Sequence, residues 1–332
     1  MTAPLTLVLA LMKTIVSKWL GFYDSAENWP FPPLFDSSDS IRTCTSVSPN
    51  PNRDTPKAPE SGLQYTRERT FAVPSTSAEK EIRTYYGTLY RAWGAQHWWP
   101  AETPFEVIVG AYLTQNTAWI NVERALANLR NAGALSVDAL RRIRITKLER
   151  LIRPSGYFRQ KAKRLKTFIK FLDRRYNGSL EEMLWQPTHQ LREELLSLNG
   201  VGPETADSIL LYAGNHPVFV VDAYTRRILD RHGILPVNTD YEEIRQFFEK
   251  ALPSVVQRLE RLQDSCSAPP LATAIRGASH APSAMSTATR TALVQIYNEM
   301  HGLIVGVGKN YCGKSTLKCD ECPLHPFLPS AK

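Results

Sequence analysis

Apolar residues recur at every third or fourth position along most of the chain after residue 76, and this spacing gathers them on one face of a helix. The first such face comprises Ile82, Tyr85, Tyr86, Leu89 and Tyr90. Thr103 can then cap a second helix of the same kind, which ends near Asn116. The alternation typical of a strand is almost absent outside the short apolar run at 218–221. The pattern predicts an all-α fold.

Helix-breaking residues divide this pattern into segments. Residues 1–76 are rich in Pro, Ser, Thr and Asn, and the repeated prolines block helix formation, so a disordered N-terminal extension is predicted there. A second low-complexity run, at 263–288, predicts a surface insertion. The helices of 106–222 are predicted to form one lobe, and those of 77–105 and 223–332 together a second lobe.

The charge favours an anionic partner. The net charge is +8, which by itself does not distinguish a nucleic acid from a membrane surface. The apolar stretch at 5–12 follows no basic residue and is far shorter than the roughly 20 residues that span a bilayer, so no membrane segment is predicted. Three of the five cysteines lie between 312 and 322, a spacing typical of metal ligands in a reducing cytosol.

The segment 198–206, Leu-Asn-Gly-Val-Gly-Pro-Glu-Thr-Ala, has the residues of a phosphate-binding turn. Gly200 and Gly202 permit a tight turn and a close approach of the backbone to a ligand, and Pro203 suits the first position of a helix. The exposed amides of such a turn, with the positive end of the helix dipole, bind anions such as a phosphodiester. Asp222 follows the run at 218–221, and both helix capping and catalysis would explain it.

Together, 198–206 and Asp222 resemble the helix-hairpin-helix and catalytic-aspartate signature of the endonuclease III superfamily of DNA glycosylases. The hairpin matches at 198–202 and the aspartate segment at 221–227. The resemblance covers about 80–325 and implies a helical barrel domain and a second helical lobe, with DNA bound between them. It also implies that Asp222 is catalytic. The residues that it assigns to DNA phosphate binding are Gly200, Val201, Gly202 and Thr205.

Glu204 stands where the bifunctional members of this superfamily carry a lysine. That lysine attacks the sugar as an amine, and a carboxylate cannot form the resulting imine. The resemblance therefore implies a glycosylase without lyase activity. Glu204 itself is explained either by the preference of acids for the first turn of a helix or by a position in the base pocket.

Trp98-Trp99-Pro100 and the segment 113–119 are most similar to the bacterial 3-methyladenine DNA glycosylases of endonuclease III type. The resemblance implies that aromatic side chains sandwich the flipped base, and the pocket residues that it predicts are Trp98, Trp99, Gln115, Trp119 and Glu204. An alkylated purine is positively charged and binds well between electron-rich rings. Core burial would equally explain each tryptophan, and a helix-end position would explain Gln115.

Cys312, Cys319 and Cys322 match the first three ligands of the [4Fe-4S] loop of this superfamily, and Pro323 strengthens the match. The expected fourth cysteine is absent, so the loop is one thiolate short. His325 can substitute, an external ligand can complete the site, or the loop is a remnant held by packing. A zinc site is a weaker alternative, because this spacing is not typical of zinc.

These features predict a monofunctional base excision repair glycosylase that hydrolyses the N-glycosidic bond of a damaged base, an alkylated purine, flipped from duplex DNA. A bifunctional enzyme acting on oxidised pyrimidines and a non-catalytic helix-hairpin-helix DNA-binding module are the alternatives. The partner is expected to be duplex DNA containing a damaged base, bound by a monomer associated with the nucleoid in a bacterial cytoplasm. A basic segment would form either a solvated face or phosphate contacts: Arg159, Lys161, Lys163, Arg164, Lys166, Lys170, Arg174 and Arg175.

Overall fold

The computed structural model describes residues 76–256 and 280–329. Within these ranges the regular elements are helices, and the only β pairing is a single antiparallel bridge between Cys312 and Leu317. The all-α prediction is confirmed. Almost all of the predicted extension and residues 263–279 of the predicted insertion lie outside the described residues.

Twelve helices are numbered here in chain order. They are α1 (Thr76–Trp93), α2 (Pro104–Thr114), α3 (Trp119–Asn131), α4 (Val137–Arg142), α5 (Ile145–Leu151), α6 (Phe158–Tyr176), α7 (Leu180–Leu184), α8 (Thr188–Leu196), α9 (Pro203–Ser208), α10 (Ala223–Arg231), α11 (Tyr241–Ala251) and α12 (Ala292–Asn310). A π-helical turn, Ile209–Ala213, continues α9. Short 3₁₀ turns occur at Arg153–Ser155, Cys319–Glu321 and His325–Phe327.

Helix α2 lies at the centre of one group of helices. The Thr103 hydroxyl accepts a hydrogen bond from the Glu106 N–H at 3.1 Å, so the predicted cap is confirmed. Every residue from 105 to 113 is buried, and the helix packs against α3, α6, and the π-helical turn. A helix that is apolar on all sides is stable only when neighbours surround it. The end of α2 is thereby fixed beside the hairpin.

Helix α12 occupies the corresponding position in a second group. It packs against α10 and α1, and α1 also packs against α11. The Lys250 ammonium lies 2.8 Å from a Glu79 carboxylate oxygen, which links α11 to α1 across the sequence. The two ends of the described chain therefore pack together. The lobe boundaries at 105 and 222 stay a prediction.

An extended segment, 218–221, leads from the π-helical turn to Asp222, and its four side chains are buried. The backbone N–H of Phe219 donates to Glu249 at 2.9 Å, and that of Val221 donates to the Tyr241 hydroxyl at 3.3 Å. Side chains of α11 thus satisfy backbone donors that a strand partner would otherwise accept. This support fixes the position at which Asp222 begins α10.

The last part of the predicted insertion packs on the protein core. The Ala101 N–H donates to the Ser283 hydroxyl at 3.1 Å, and the Met285 N–H donates to the Ala101 carbonyl at 3.0 Å. Met285 and Ser286 are buried. Met285 and Ser286 therefore pack into the folded core, while the bounds of the insertion stay a prediction. No helix in the described ranges is both long enough and apolar enough to cross a membrane.

Candidate active site

The turn between α8 and α9 contains the two glycines of the predicted hairpin. Gly200 has a φ of +82°, and a Cβ atom there would lie 1.9 Å from Nε of Arg164. Glycine is therefore required by both the backbone conformation and the space. The Val201 N–H closes the turn by donating to the Leu198 carbonyl at 3.0 Å. Gly202 is exposed at the N-terminus of α9, where backbone amides face solvent and suit a phosphate.

Gln115, at the end of α2, is bound to this hairpin. Its Nε2 donates to the Gly200 carbonyl at 2.9 Å and to the Thr205 hydroxyl at 3.0 Å. Thr205 is buried, so its side chain supports the hairpin from inside. Only the backbone N–H of Thr205, in the first turn of α9, remains for the predicted phosphate contact. A place for Gln115 in the base pocket stays a prediction.

Asp222 is the N-cap of α10. Its Oδ1 accepts hydrogen bonds from the Thr225 N–H at 2.8 Å and the Thr225 hydroxyl at 2.9 Å, so the capping role is confirmed. Its Oδ2 lies 3.5 Å from Nε2 of His301, and the side chain is 12% exposed. Burial raises the pKa of Asp222, but hydrogen bonding from His301 and Thr225 outweighs it, and the pKa lies below its ordinary value. The carboxylate is ionised at neutral pH.

Two buried side chains behind Asp222 were not anticipated from the sequence. His301 is on α12 and Tyr212 is in the π-helical turn, and the Tyr212 hydroxyl is hydrogen-bonded to Nδ1 of His301. His301 is 4% exposed and Tyr212 is fully buried. Each lies in a long apolar stretch where it looks like an ordinary core residue. Only the packing of these two elements together brings His301 to Asp222.

Glu204 lies in the first turn of α9 and is exposed to solvent, although protein atoms crowd its carboxyl group. This desolvation, followed by the negative charge of Asp222, raises the pKa of Glu204 to about 7, while His301 and Arg226 act in the opposite direction. Two neighbouring carboxyl groups therefore differ in protonation near neutral pH. Such a separation is common where one carboxylate must stay charged.

The structure brings together the three tryptophans predicted for the base pocket. Trp99 and Trp119 meet edge to face, with ring centroids 5.0 Å apart at 89°, and Trp98 and Trp119 are tilted at 41°. Trp98 and Trp99 are each 5% exposed. A Cβ atom at Gly302 would lie 3.0 Å from Cβ of Trp98, so glycine on α12 makes room for this ring. None of these pairs is parallel, so no two of the three rings stack face to face in this structure.

His280 and Lys309 complete this aromatic group and were not predicted. The His280 ring centroid lies 5.5 Å from that of Trp98 and 6.1 Å from that of Trp119. Nε2 of His280 is buried and finds no hydrogen-bond acceptor or donor among the described residues. The Lys309 ammonium lies 5.7 Å from the Trp98 ring centroid, a cation–π distance. Desolvation lowers the pKa of both His280 and Lys309.

Helix α6 carries the predicted basic segment, but several of its cations serve the fold. The Lys161 ammonium donates to the Leu113 carbonyl at 2.8 Å and the Ser155 carbonyl at 2.7 Å, and burial with the Arg164 charge lowers its pKa to about 8. Lys166 donates to the Leu140 carbonyl at 2.6 Å. Neither a solvated face nor phosphate contact explains Lys161. The cations left exposed on this helix are Arg159, Lys163, Lys170, Arg174 and Arg175.

Cys312, Cys319 and Cys322 line one small cavity. The Arg231 guanidinium donates to Sγ of Cys312 at 3.0 Å, and the Leu324 N–H donates to Sγ of Cys322 at 3.4 Å. N–H···S bonds of this kind stabilise cluster thiolates.

A fourth thiolate for this cavity is lacking among the described residues. His325 lines the cavity, but its Nδ1 lies 3.0 Å from the Cys319 carbonyl oxygen. In the described ranges, no three His, Cys, Asp or Glu side chains are placed to hold a metal ion. The residues present therefore do not fit a four-thiolate cluster or a zinc ion.

A family model described as HhH-GPD superfamily base excision DNA repair protein matches residues 109–254. A Methanocaldococcus jannaschii protein that is named as a DNA repair glycosylase is 43% identical over 251 residues, 75% of this chain and 96% of the relative. Endonuclease III of Thermotoga maritima is 33% identical over 150 residues, 45% of this chain and 66% of that protein. Fold, site and relatives together define the class as a DNA glycosylase. The chain belongs to the HhH-GPD superfamily of base excision DNA repair proteins.

Solved structures agree with this assignment. H. pylori 3-methyladenine DNA glycosylase bound to 1,N6-ethenoadenine superposes with a TM-score of 0.53 at 30% identity, covering 70% of this chain and 97% of that chain. A non-covalent endonuclease III–DNA complex superposes with a TM-score of 0.55 at 19% identity, covering 75% and 94%. The second similarity supports the fold alone. The predicted superfamily is confirmed.

Proposed function

We propose that the protein is a monofunctional DNA glycosylase, which hydrolyses the N-glycosidic bond of an alkylated purine flipped from duplex DNA. The observation that carries this proposal is the carboxyl pair formed by Asp222, at the start of α10, and Glu204, at the start of α9. A lysine at position 204 would make an imine with the sugar, whereas a carboxyl group cannot. Hydrolysis with water as the nucleophile is the chemistry that remains.

Asp222 supplies electrostatic stabilisation in this proposal. As the glycosidic bond breaks, positive charge develops on the deoxyribose, and a fixed carboxylate close to it lowers the barrier. Its depressed pKa keeps the group charged at neutral pH. The same carboxylate can orient the attacking water from the open side of the cap. Catalysis of this kind needs the charge in place before the base leaves.

The tryptophan group supports the assignment of the base. Electron-rich rings hold a cationic or extended purine by stacking, without requiring the hydrogen-bond pattern of one normal base. The H. pylori glycosylase that this chain resembles at 30% identity is a 3-methyladenine enzyme and was solved with 1,N6-ethenoadenine. We extend that substrate class, alkylated purines, to this protein.

The cysteine loop has no step in this mechanism. It supplies three cysteine side chains, and its chain is already held by Arg231 and by Arg227, whose Nε donates to the Cys312 carbonyl at 2.7 Å. We propose that the loop stabilises the end of the second group of helices by these contacts. The loop thus contains three of the four cysteine ligands that the resemblance implies.

The test is a panel of duplexes, each with one lesion: 3-methyladenine, 1,N6-ethenoadenine, an oxidised pyrimidine or none. Release is scored as abasic sites revealed by alkali. We expect release from the alkylated purines, no strand cleavage before alkali, and loss of release in Asp222→Asn with retained binding. Asparagine is the matched control because it caps a helix equally well. Release confined to oxidised pyrimidines would overturn the substrate, and binding without release on every lesion would favour a DNA-binding module.

A further inference from the structure

The two carboxylate oxygens of Asp222 have different partners. Oδ1 is used by the helix cap, with donors from Thr225 at 2.8 and 2.9 Å. Oδ2 takes no part in the cap and lies 3.5 Å from Nε2 of His301. Oδ2 is therefore the oxygen available to the reaction, and His301 is its neighbour on the protein side.

His301 is itself held on several sides. The Tyr212 hydroxyl bonds its Nδ1, and the rings of Trp98 and Phe219 meet it edge to face at centroid distances of 5.9 and 6.5 Å. His301 is 4% exposed, so water cannot take the place of these partners. In this orientation Nε2 lies 3.5 Å from Oδ2 of Asp222 and has no hydrogen-bond partner among the described residues.

The Tyr212 contact also sets the proton positions on the ring. Tyr212 is fully buried, and this desolvation raises its pKa far above the ordinary value, so the hydroxyl stays protonated and can donate. When it donates to Nδ1, the neutral imidazole carries its proton on Nε2. That N–H lies nearest to Oδ2 of Asp222, although in the free protein the two groups do not form a hydrogen bond of ordinary geometry. Catalytic hydrogen bonds that are long in the free protein commonly shorten in the substrate complex.

We propose that His301 is a positioning residue, which directs Oδ2 of Asp222 toward the deoxyribose through the chain Tyr212 O–H to His301 to Asp222. This proposal rests on the proposed function of Asp222. No proton is transferred along the chain. His301 touches neither the base nor the sugar in this role, and it acts only through the carboxylate.

Other titratable groups near the pair are accounted for. Glu204 faces it from α9, Tyr212 from the π-helical turn, and Tyr224 and Arg226 from α10, while Trp98 and Phe219 contribute uncharged rings. His301 is the hydrogen-bond partner from α12 that favours the charged form of Asp222. Removing His301 while keeping these groups must therefore raise the pKa of Asp222.

The experiment compares His301→Leu, His301→Gln and Asn298→Leu in single-turnover base release and in binding of a non-hydrolysable duplex. Gln places an amide near the position of Nε2, and Asn298 is a fully buried residue of the same helix without a contact to Asp222. For His301→Leu we expect release to slow about 10- to 100-fold with binding changed less than about twofold. In this variant the acidic limb of the pH–rate profile for base release should move to higher pH by about one unit. His301→Gln should recover most of the rate, and Asn298→Leu should leave both rate and limb unchanged.

A merely structural role for His301 would be shown by equal losses of the base-release rate in His301→Leu and Asn298→Leu. It would also be shown if His301→Gln were as slow as His301→Leu and the acidic limb of the pH–rate profile did not move. A second readout does not require activity: the pKa of the Asp222 carboxyl, measured by carbon NMR and assigned with Asp222→Asn. It should rise in His301→Leu, and an unchanged value overturns the proposal. If the wild-type protein releases no base at all, the proposed function fails, while the NMR titration still decides the contact.

Discussion

The side-chain amide of Gln115 donates to the carbonyl of Gly200 at 2.9 Å, and this bond joins the end of α2 to the phosphate-binding turn. Gly200 has the left-handed conformation that directs its carbonyl inward, away from solvent. The segment predicted to line the base pocket and the hairpin predicted to bind DNA are therefore joined by a direct hydrogen bond.

Gln115→Ala should weaken binding of duplex DNA and lower stability by about 1 kcal/mol, because it leaves the Gly200 carbonyl and the Thr205 hydroxyl without this donor. Fluorescence anisotropy and urea denaturation measure the two effects. Gln190→Ala is the control, since that amide contacts only Gln186 and Glu194. Equal binding by both variants would mean that Gln115 does not organise the hairpin.

Glu204→Lys should create a covalent intermediate that the wild-type protein lacks. An amine at this position can form an imine with the opened sugar of an abasic site, and borohydride reduces it to a stable adduct. Adducts are counted on denaturing gels after incubation with abasic duplex. Lys309→Ala in both backgrounds controls for the other amine near the pocket. A strong adduct in the wild-type protein that survives Lys309→Ala would contradict the monofunctional assignment.

Binding of DNA should weaken as the pH rises through about 7. Glu204, whose pKa is raised to about 7, then loses its proton and adds negative charge beside Asp222. The dissociation constant for a non-hydrolysable duplex should increase several-fold from about pH 6 to about pH 8 at constant salt. Glu204→Gln should remove most of this change. An equal dependence in the variant would assign it to another group.

Trp119→Ala should slow release of an alkylated purine roughly 5- to 100-fold, since one stacking surface for a base is worth about 1–3 kcal/mol. Binding to undamaged duplex should change little, because Trp119 lies in the aromatic group and not in the hairpin. Trp185→Ala is the matched control: this tryptophan is 81% exposed and has no contact with the aromatic group. Comparable losses in both variants would exclude a specific pocket role.

Asp207→Ala should lower the free energy of unfolding by about 3–5 kcal/mol. Asp207 is fully buried on α9, and its two oxygens accept from Arg192 at 2.6 and 3.1 Å. Removing the carboxylate breaks this two-bond pair and leaves Arg192 with the more exposed Glu242, 2.5 Å away, as its partner. Asp138→Ala, at an exposed pair with Arg141, should change the free energy of unfolding far less in the same urea titration, because solvent screens that pair. Similar costs would show that the buried pair is not a stability determinant.

Short, contiguous signals predicted the helices and the hairpin. The Thr103 cap, the Gly200 turn and the Asp222 cap each depend on residues within four positions of one another, so the sequence specifies them locally. Periodic apolar spacing likewise marked α1 and α2. Features that depend only on residues close in the sequence can be predicted without knowing which helices pack together.

The rest of the site depends on long-range packing. His301 follows Asp222 by 79 positions in the sequence, and no neighbouring residue in the sequence distinguishes it from a core histidine. Lys161 looked like part of a charged face, but it turns inward because the carbonyl groups of Leu113 and Ser155 need a donor. Sequence spacing on one helix cannot show which carbonyls a neighbouring turn will leave unsatisfied.

His280 lies on the connection between α11 and α12, yet its ring contacts Trp98 and Trp119. One wall of the aromatic group is thus provided by a connecting segment, whereas the others are provided by α3 and the residues before α2. In the proposed base pocket, such a wall can be changed with no substitution in any of the numbered helices. Under the proposed function, lesion preference can therefore diverge while the scaffold and its carboxylates stay the same.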